Sequence, residues 1–198
     1  VGCVLGTFDS PSRPRGWRQT WFKTFGMTHS VAGDTASIST SGGVRWLIDP
    51  HSTVQVPVAS GGRTAYRREA IARERFDEFL PGYTLSEDVE FSFRIARAWS
   101  IVQTPTARLF HKRAPTARVD YGDRVSRLIY SRFYFFKKHL PKDPRHILAF
   151  GWTNVGITTF YAGVGLLKAP RGEKASVLRG VARGYKRCVA DLAGRKVQ

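Results

Sequence analysis

Two adjacent carboxylates are the side chains of this sequence best placed for acid–base chemistry. Glu87 and Asp88 follow a turn-rich run at 81–84 and open a stretch with helical periodicity. Ser86 precedes them and is predicted to be the N-cap, because its side-chain oxygen can accept an unpaired backbone N–H of the first turn. The helix dipole favours negative charge at this end, so both acids should be ionised near neutral pH. A carboxylate held there, beside a loop, can act as a general base.

A purely structural explanation of these acids is also open, since Asp and Glu favour helix N-termini in general. The next acid, Glu90, lies four residues before Arg94. That spacing predicts a helical ion pair, which stabilises a helix by about 0.2–0.5 kcal/mol. Glu87 and Asp88 are then the acids for which the helix supplies no partner.

The elements that must position these acids are predicted to be short strands and short helices. Strands are predicted at 1–8, 44–48, 53–58, 100–103 and 107–110, and helices at 16–25, 67–75 and 86–98. Residues 26–43, rich in Gly, Ser and Thr, are predicted to form a loop. Gly61 and Gly62 follow a strand directly, where paired glycines allow a ligand close to the backbone, although most such pairs are only turns.

Charge divides the chain into two unlike parts. Of the net charge of +17, residues 1–110 carry 13 Lys and Arg against 10 Asp and Glu, whereas residues 111–198 carry 19 against 5. The basic second part is interrupted by residues 146–167, which contain no Asp, Glu, Lys or Arg. Basic flanks around an apolar stretch favour an anionic membrane surface as partner over nucleic acid.

The second part is predicted to be helical. A basic amphipathic helix at 121–140 can pack on its own domain or lie in a membrane interface, and the charge asymmetry favours the interface. The uncharged segment 146–167 is long enough to span a bilayer at ~20 residues. Its polar residues and glycines favour a short hairpin embedded in one leaflet equally well. A further basic helix is predicted near the C-terminus.

The cysteines indicate the redox compartment of the protein, and the first residues indicate how the chain begins. Cys3 and Cys188 are far apart and have no metal-ligand spacing, which indicates a reducing compartment. The sequence begins with Val1 and reads as a strand entered within a domain, so we expect a fragment that lacks an N-terminal part.

An ordered set of short motifs carries a resemblance to a known family. The motifs are Ser60-Gly61-Gly62 with Tyr66-Arg67-Arg68, then Phe76-Asp77-Glu78, Glu87-Asp88-Val89-Glu90, Thr104-Pro105-Thr106-Ala107 and His111. No single motif is specific, but their order and spacing over 54–111 resemble the C-terminal half of a family-2 glycosyltransferase. The resemblance implies an α/β fold: a partial, Rossmann-like GT-A domain at 1–117, followed by a mainly helical, membrane-associated tail at 118–198.

The function implied by the resemblance is transfer of a hexosyl group from a nucleotide-diphosphate sugar to a lipid-linked or cell-envelope glycan. Asp88 matches the general base of an inverting transfer, and Glu87 matches its neighbour in the Glu-Asp pair. Gly61, Gly62 and Arg63 match a substrate-binding loop. The implied location is the cytoplasmic face of the cell membrane, with no nucleic acid as partner.

The resemblance also implies a divalent cation, Mg²⁺ or Mn²⁺, with His111 as a candidate contact. The sequence departs from the family in lacking its Asp-x-Asp motif and its N-terminal nucleotide-binding strands; Asp9 and Asp34 stand in no such motif. We therefore expect the donor site upstream of Val1 and no activity from these 198 residues alone. Absence of the Gln-x-x-Arg-Trp motif of processive synthases favours transfer of a single sugar.

Two other interpretations remain open from the residues. The chain can be a basic module that binds an anionic membrane or nucleic acid without catalysis, an interpretation that rests on the net charge. It can also be a degenerate domain that folds and has no activity.

Overall fold

The computed structural model describes residues 1–8, 16–79, 86–110, 120–167 and 174–195, with the side chains of 164–166 and 174 excepted. Within these ranges the chain forms seven strands in two small mixed sheets, and six helices. The prediction of an α/β fold is thus confirmed at this level. The predicted division of the chain at 117/118 falls outside the described residues.

The larger sheet has four strands in the order β5-β7-β1-β6. They are β1 (Cys3–Phe8), β5 (Val54–Gln55), β6 (Thr64–Tyr66) and β7 (Ile101–Leu109). The central pair, β1 and β7, is parallel, with Cys3 opposite Ile101, and both outer strands run antiparallel to their neighbours. Leu5 and Ile101 are among the fully buried side chains of the core on this sheet.

Strand β7 is continuous where two strands separated by a break were predicted. Its pairing with β1 places Leu5 opposite Gln103 but Thr7 opposite Arg108, so residues 104–107 form an irregularity within one strand. Pro105 falls there, where a ladder N–H is not needed. The Thr7 hydroxyl donates to the carbonyl of Thr104 over 3.0 Å, which keeps the two strands joined across the irregularity.

The second sheet has three strands in the order β2-β4-β3, formed by His29–Val31, Val44–Leu47 and Ser37–Ile38. Strands β2 and β4 are parallel and β3 is antiparallel. The prediction of a loop over 26–43 is wrong for β2 and β3. Strands of two or three residues are too short to show alternation, and pairing with β4 orders them instead.

Three helices accompany the sheets: α1 (Trp17–Thr24), α2 (Arg68–Ile71) and α3 (Glu87–Ile95). Helix α2 is shorter than predicted. Helix α3 is mostly buried, as its apolar sequence indicates, and it is tied to the segment after β5 through Ser92. The backbone N–H of Ala59 donates to the Ser92 hydroxyl over 2.8 Å. This contact holds the middle of α3 against the segment that leads into the Gly61-Gly62 turn.

Three longer helices complete the fold: α4 (Tyr121–His139), α5 (Pro144–Leu167) and α6 (Lys174–Leu192). The hairpin predicted within 146–167 is wrong, because α5 is one continuous helix. One side of α5 packs on α1, where the Trp21 indole donates to the carbonyl of Gly156 over 3.1 Å and the Thr153 hydroxyl donates to that of Phe25 over 2.7 Å. Among the described residues, no helix combines the length and the apolar character needed to cross a bilayer.

Helices α4 and α6 approach each other through glycines. A Cβ placed on Gly180 would lie 2.2 Å from the carbonyl oxygen of Gly122, and a Cβ on Gly122 would lie 2.2 Å from that of Ser176. The two backbones therefore touch without intervening side chains. The Ser176 hydroxyl donates to Asp120 over 2.7 Å at the same end, and Asp120 caps α4 by accepting the backbone N–H of Asp123.

Both cysteines are free thiols in the interior. Burial raises the pKa of Cys3 to about 12, and it raises that of Cys188 to about 12 as well. Each side chain is therefore a protonated, apolar packing group at neutral pH, with low nucleophilic reactivity.

Candidate functional site

Asp88 is held by two backbone N–H groups. Its Oδ2 accepts from Gly61 over 2.5 Å and its Oδ1 accepts from Val89 over 2.8 Å. The fold thus brings the predicted base against the predicted glycine turn, 27 residues away in sequence. A carboxylate oxygen has two acceptor positions, so each oxygen of Asp88 can still accept one hydrogen bond from a ligand. The orientation of the carboxylate is set by backbone atoms.

Ser86 occupies the N-cap position of α3, but the predicted capping hydrogen bond is absent. Its φ of 85° and ψ of 17° place it in the left-handed region, the single described non-glycine residue with positive φ. An N-cap side chain reaches the first turn from an extended backbone, which Ser86 does not have. A non-glycine residue in this region costs about 1–2 kcal/mol. Such strain is found at functional sites more often than elsewhere.

Glu87 has a different environment from Asp88. Its side chain is half-buried, and both this burial and the neighbouring charge of Asp88 raise its pKa. The shift is opposite in sign to that expected from the helix dipole alone. Glu87 is not among the described residues that line the cavity beside Asp88, so its position suits a supporting role.

The other two predicted substrate-binding residues differ in exposure. Gly62 is exposed with a φ of 78°, a conformation that favours glycine. Arg63 is buried: its Nε donates to the Ser60 hydroxyl over 2.7 Å and its guanidinium lies over Phe8, 5.1 Å from the ring centroid. Burial lowers the pKa of Arg63, and the nearby charge of Asp88 opposes this shift. The structure thus places Arg63 under the turn.

A cavity of about 570 Å³ opens beside Asp88. Its volume is within the range of small-molecule sites, about 300–1,000 Å³. Its walls are aromatic, hydroxyl-bearing and basic. The lining residues of these three kinds are Thr28, Trp46, Ser60, Ser86, Tyr121, Arg124, Ser131, Arg132, Phe135 and Tyr161, and Asp88 lines the cavity with them. Among the described lining residues, Asp88 is the single carboxylate.

Two arginines of α4 line this cavity and were not predicted from the sequence. Arg124 is exposed, and Arg132 is 9% exposed. A signal for Arg132 was present: it follows Val125 by seven residues and Ile129 by three, so it lies on the apolar face of the helix. A charged residue on the buried face of an amphipathic helix points to a partner or a ligand.

Beneath the site, Glu90 joins α3 to α4. It is 1% exposed, and its Oε1 lies 3.0 Å from Arg94 Nε, 2.9 Å from Lys138 Nζ and 2.9 Å from His139 Nε2. Arg97 donates to His139 Nδ1 over 3.2 Å, so the ring proton is on Nε2 and points to Glu90. The predicted Glu90–Arg94 pair is confirmed, but it is one contact within a buried network and not a surface pair.

The carboxylates of this network are held ionised. Burial raises the pKa of Glu90, but hydrogen bonds from His139 and Lys138 outweigh it and leave the pKa below its ordinary value. Asp77 behaves in the same way: burial raises its pKa, and hydrogen bonds from Lys138 and Tyr134 lower it further than burial raises it. Lys138 therefore bridges two acids from different parts of the chain.

The expected divalent cation has no matching set of ligands here. His111 lies outside the described residues, and within the described ranges no three His, Cys, Asp or Glu side chains come together as a metal site requires. The cavity offers one described carboxylate beside two guanidinium groups, a combination that does not suit Mg²⁺ or Mn²⁺. The cation stays a prediction from the resemblance.

The geometry of the cavity supports one type of chemistry. An oriented, cavity-lining carboxylate can accept a proton from a bound hydroxyl, while two guanidinium groups favour negative charge on the same ligand or its partner. Aromatic walls such as Trp46 and Tyr121 can pack against a ring or an apolar chain.

Comparison with protein-family models gave no match for this chain, and neither the curated proteins nor the solved structures compared with it gave a significant match.

Proposed function

We propose that the chain is part of an inverting glycosyltransferase of the family-2 type, with Asp88 as the general base. The observation that carries this proposal is the placement of Asp88: its carboxylate lines a cavity of suitable size and is fixed by the N–H groups of Gly61 and Val89. The ordered motifs over 54–111 support the family.

The proposed reaction assigns one step to Asp88. The carboxylate takes the proton of an acceptor hydroxyl as the hydroxyl oxygen bonds to the anomeric carbon of the donor sugar. The bond from that carbon to the diphosphate oxygen breaks, and the diphosphate leaves with the electron pair. Attack from the face opposite the leaving group inverts the anomeric centre. A single well-placed base is sufficient, since no second carboxylate is needed as a nucleophile.

Several parts of this proposal come from the resemblance. They are the Rossmann-like GT-A arrangement, the nucleotide-sugar donor, the lipid-linked or envelope glycan acceptor and the divalent cation. The activity test therefore uses the protein as it is expressed from its own gene.

Replacing Asp88 by Asn tests the base. We expect Asp88→Asn to lower turnover by about 100-fold or more, because an amide keeps the size of the carboxylate and cannot take the proton. The measurement is release of nucleoside diphosphate from a panel of nucleotide sugars in the presence of a polyprenyl-linked acceptor. Asp34→Asn, at an exposed aspartate whose Oδ1 accepts the His51 N–H, is the matched control.

Turnover retained in Asp88→Asn would contradict the assignment of the base. No turnover in the unaltered protein, together with retained binding to anionic vesicles, would favour the non-catalytic basic module.

We further propose that the protein works at an anionic membrane surface, on its cytoplasmic side. Helix α5 presents an exposed apolar face, on which Leu148 is 73%, Trp152 52% and Val155 49% exposed. Lys142 and Arg145 lie exposed next to this face at the start of the helix. An apolar helix face beside basic residues suits shallow insertion among anionic headgroups.

A charge placed on this face should release the protein from vesicles. We expect the double variant Leu148→Asp/Val155→Asp to lower partitioning onto anionic vesicles at least tenfold, since each apolar side chain contributes about 1.5–3 kcal/mol when buried. Co-sedimentation with phosphatidylglycerol-containing vesicles measures this. Val189→Asp/Leu192→Asp, at exposed apolar positions of α6, is the control with the same change in charge. Equal losses in both variants would mean that net charge, and not this face, controls binding.

A further inference from the structure

Arg132 is a buried cation whose contacts within the protein are incomplete. One Nη donates to the Thr28 hydroxyl over 3.3 Å and the other donates to the carbonyl of Ser41 over 3.4 Å, both longer than a typical N–H···O bond of 2.7–3.2 Å. Its buried Nε has no hydrogen-bond partner among the described residues. A guanidinium carries five donors in a fixed fork, so most of its capacity is unused.

No described carboxylate forms an ion pair with Arg132. By comparison, the partly buried Arg94 forms ion pairs with Glu74 and Glu90. Burial lowers the pKa of Arg132 to about 10, which still leaves it charged at neutral pH. A buried charge with neither an ion pair nor a full set of hydrogen bonds is unfavourable, unless a ligand supplies the missing negative charge and hydrogen-bond acceptors.

Arg132 lines the same cavity as Asp88. Arg124, which lies eight residues before Arg132 on α4, lines it too. Arg124 follows the N-cap Asp120 by four residues and is exposed, so it can move onto a ligand that enters. The hydroxyls of Thr28 and Ser60 also line the cavity; each accepts a hydrogen bond from a neighbouring N–H and keeps its own proton to donate. Guanidinium forks and hydroxyls together match the oxygens of a phosphoryl group.

We propose that Arg132 and Arg124 bind a phosphate or diphosphate group inside the cavity that Asp88 lines. The role of this group in a reaction rests on the proposed function, whereas the binding itself does not require catalysis. The phosphoryl group can belong to a nucleotide or to a lipid-linked molecule, and both present the same oxyanion to the two arginines.

Calorimetric titration of the 198-residue chain with inorganic pyrophosphate tests the site. We expect saturable binding that weakens at least tenfold in Arg132→Gln, because hydrogen bonds between charged groups are lost. Arg124→Gln should weaken binding too. Because Arg124 is exposed and Arg132 is buried, the Arg124 substitution should not affect folding. Arg179→Gln, at an exposed arginine of α6, should leave binding unchanged. Circular dichroism checks that each variant is folded, and Arg132→Lys replaces Arg132→Gln if the latter does not fold.

The Asp88→Asn variant is expected to differ from the arginine variants in its effect on pyrophosphate affinity. Removal of a negative charge from the cavity should leave pyrophosphate binding as tight or make it tighter. Pyrophosphate binding that follows the arginines while Asp88→Asn retains turnover would support the anion site and overturn only the proposed base. No saturable binding by the unaltered chain, or equal weakening in Arg179→Gln, would overturn the anion site whatever the catalytic result.

Two further ligands identify the source of the phosphoryl group. Competition of pyrophosphate by uridine diphosphate but not by decyl phosphate would support a nucleotide, and the reverse would support a lipid-linked molecule. Competition by both would support a site that recognises the phosphoryl group and not the rest of the ligand. Competition by neither would overturn the proposal, since no larger phosphoryl ligand would then reach the arginines.

Discussion

Replacement of Glu90 by Ala is expected to lower the free energy of unfolding by about 3–5 kcal/mol, the usual effect of removing one partner from a buried ion pair. The variant leaves Lys138 and His139 without the acid that both contact, and it frees one side of Arg94. A domain of this size has a total stability of only about 5–15 kcal/mol, so most molecules should be unfolded under mild denaturant.

Urea unfolding followed by circular dichroism measures this effect, with Glu78→Ala at an exposed glutamate as the control, expected within about 0.5 kcal/mol of the unaltered protein. The pH dependence adds a second readout. Because the pKa of Glu90 is lowered in the folded state, its contribution to stability is complete above the ordinary value of 4.5 and is lost as pH falls below it. The Ala variant should lose part of this acid sensitivity. A difference of less than about 1 kcal/mol at neutral pH would show that the network is replaceable.

Replacement of Gly180 by Ala is expected to destabilise the protein by about 3 kcal/mol, the upper part of the range for overpacking. Helix propensity alone gives the opposite sign, a gain of about 0.8–1 kcal/mol. The new Cβ would lie 2.2 Å from the carbonyl oxygen of Gly122, and a backbone oxygen cannot turn aside as a flexible side chain can. Helices α4 and α6 would have to separate.

Gly151→Ala is the matched control, because Gly151 is also inside a helix but has no atom within 4 Å of its ideal Cβ. It should be neutral or stabilising by up to about 1 kcal/mol in the same thermal or urea measurement. Opposite signs for the two substitutions would confirm that the contact, and not glycine itself, controls the result. A stabilising Gly180→Ala would disprove the close approach.

The sequence predicted the elements with long, strongly periodic patterns. Helix α4 lies where the helical spacing of apolar residues placed it, and α1, α3, α6, β1 and β4 also lie at their predicted positions. Strand β5 is shorter than predicted, since alternation over 53–58 gives a strand of only Val54–Gln55. Strands β2, β3 and β6 were missed, because two or three residues do not establish a period and their order depends on partners distant in the chain. The irregularity in β7 was read as a break for a related reason: Thr104-Pro105-Thr106 is a turn signal locally, and only the pairing with β1 keeps it within the strand.

The candidate site was predicted unevenly for a physical reason. Asp88 and Gly61 were predicted because the local sequence is enough to identify an acid at a helix start and a glycine directly after a strand. Arg132 was missed because its role depends on burial and on missing partners, which are properties of the packed chain. The error in Ser86 has the same origin, since a residue type does not reveal a left-handed backbone.

Helix α4 helps to set the distance between the two proposed functional groups of the cavity. Arg132 and Lys138 are six residues apart on it, about 9 Å along the axis, and Lys138 contacts Glu90, which lies two residues from Asp88 on α3. The distance between the proposed base and the proposed anion site is therefore set in part by two helices joined through one acid. A slip of α4 by one turn would move both Arg124 and Arg132 relative to Asp88 at the same time.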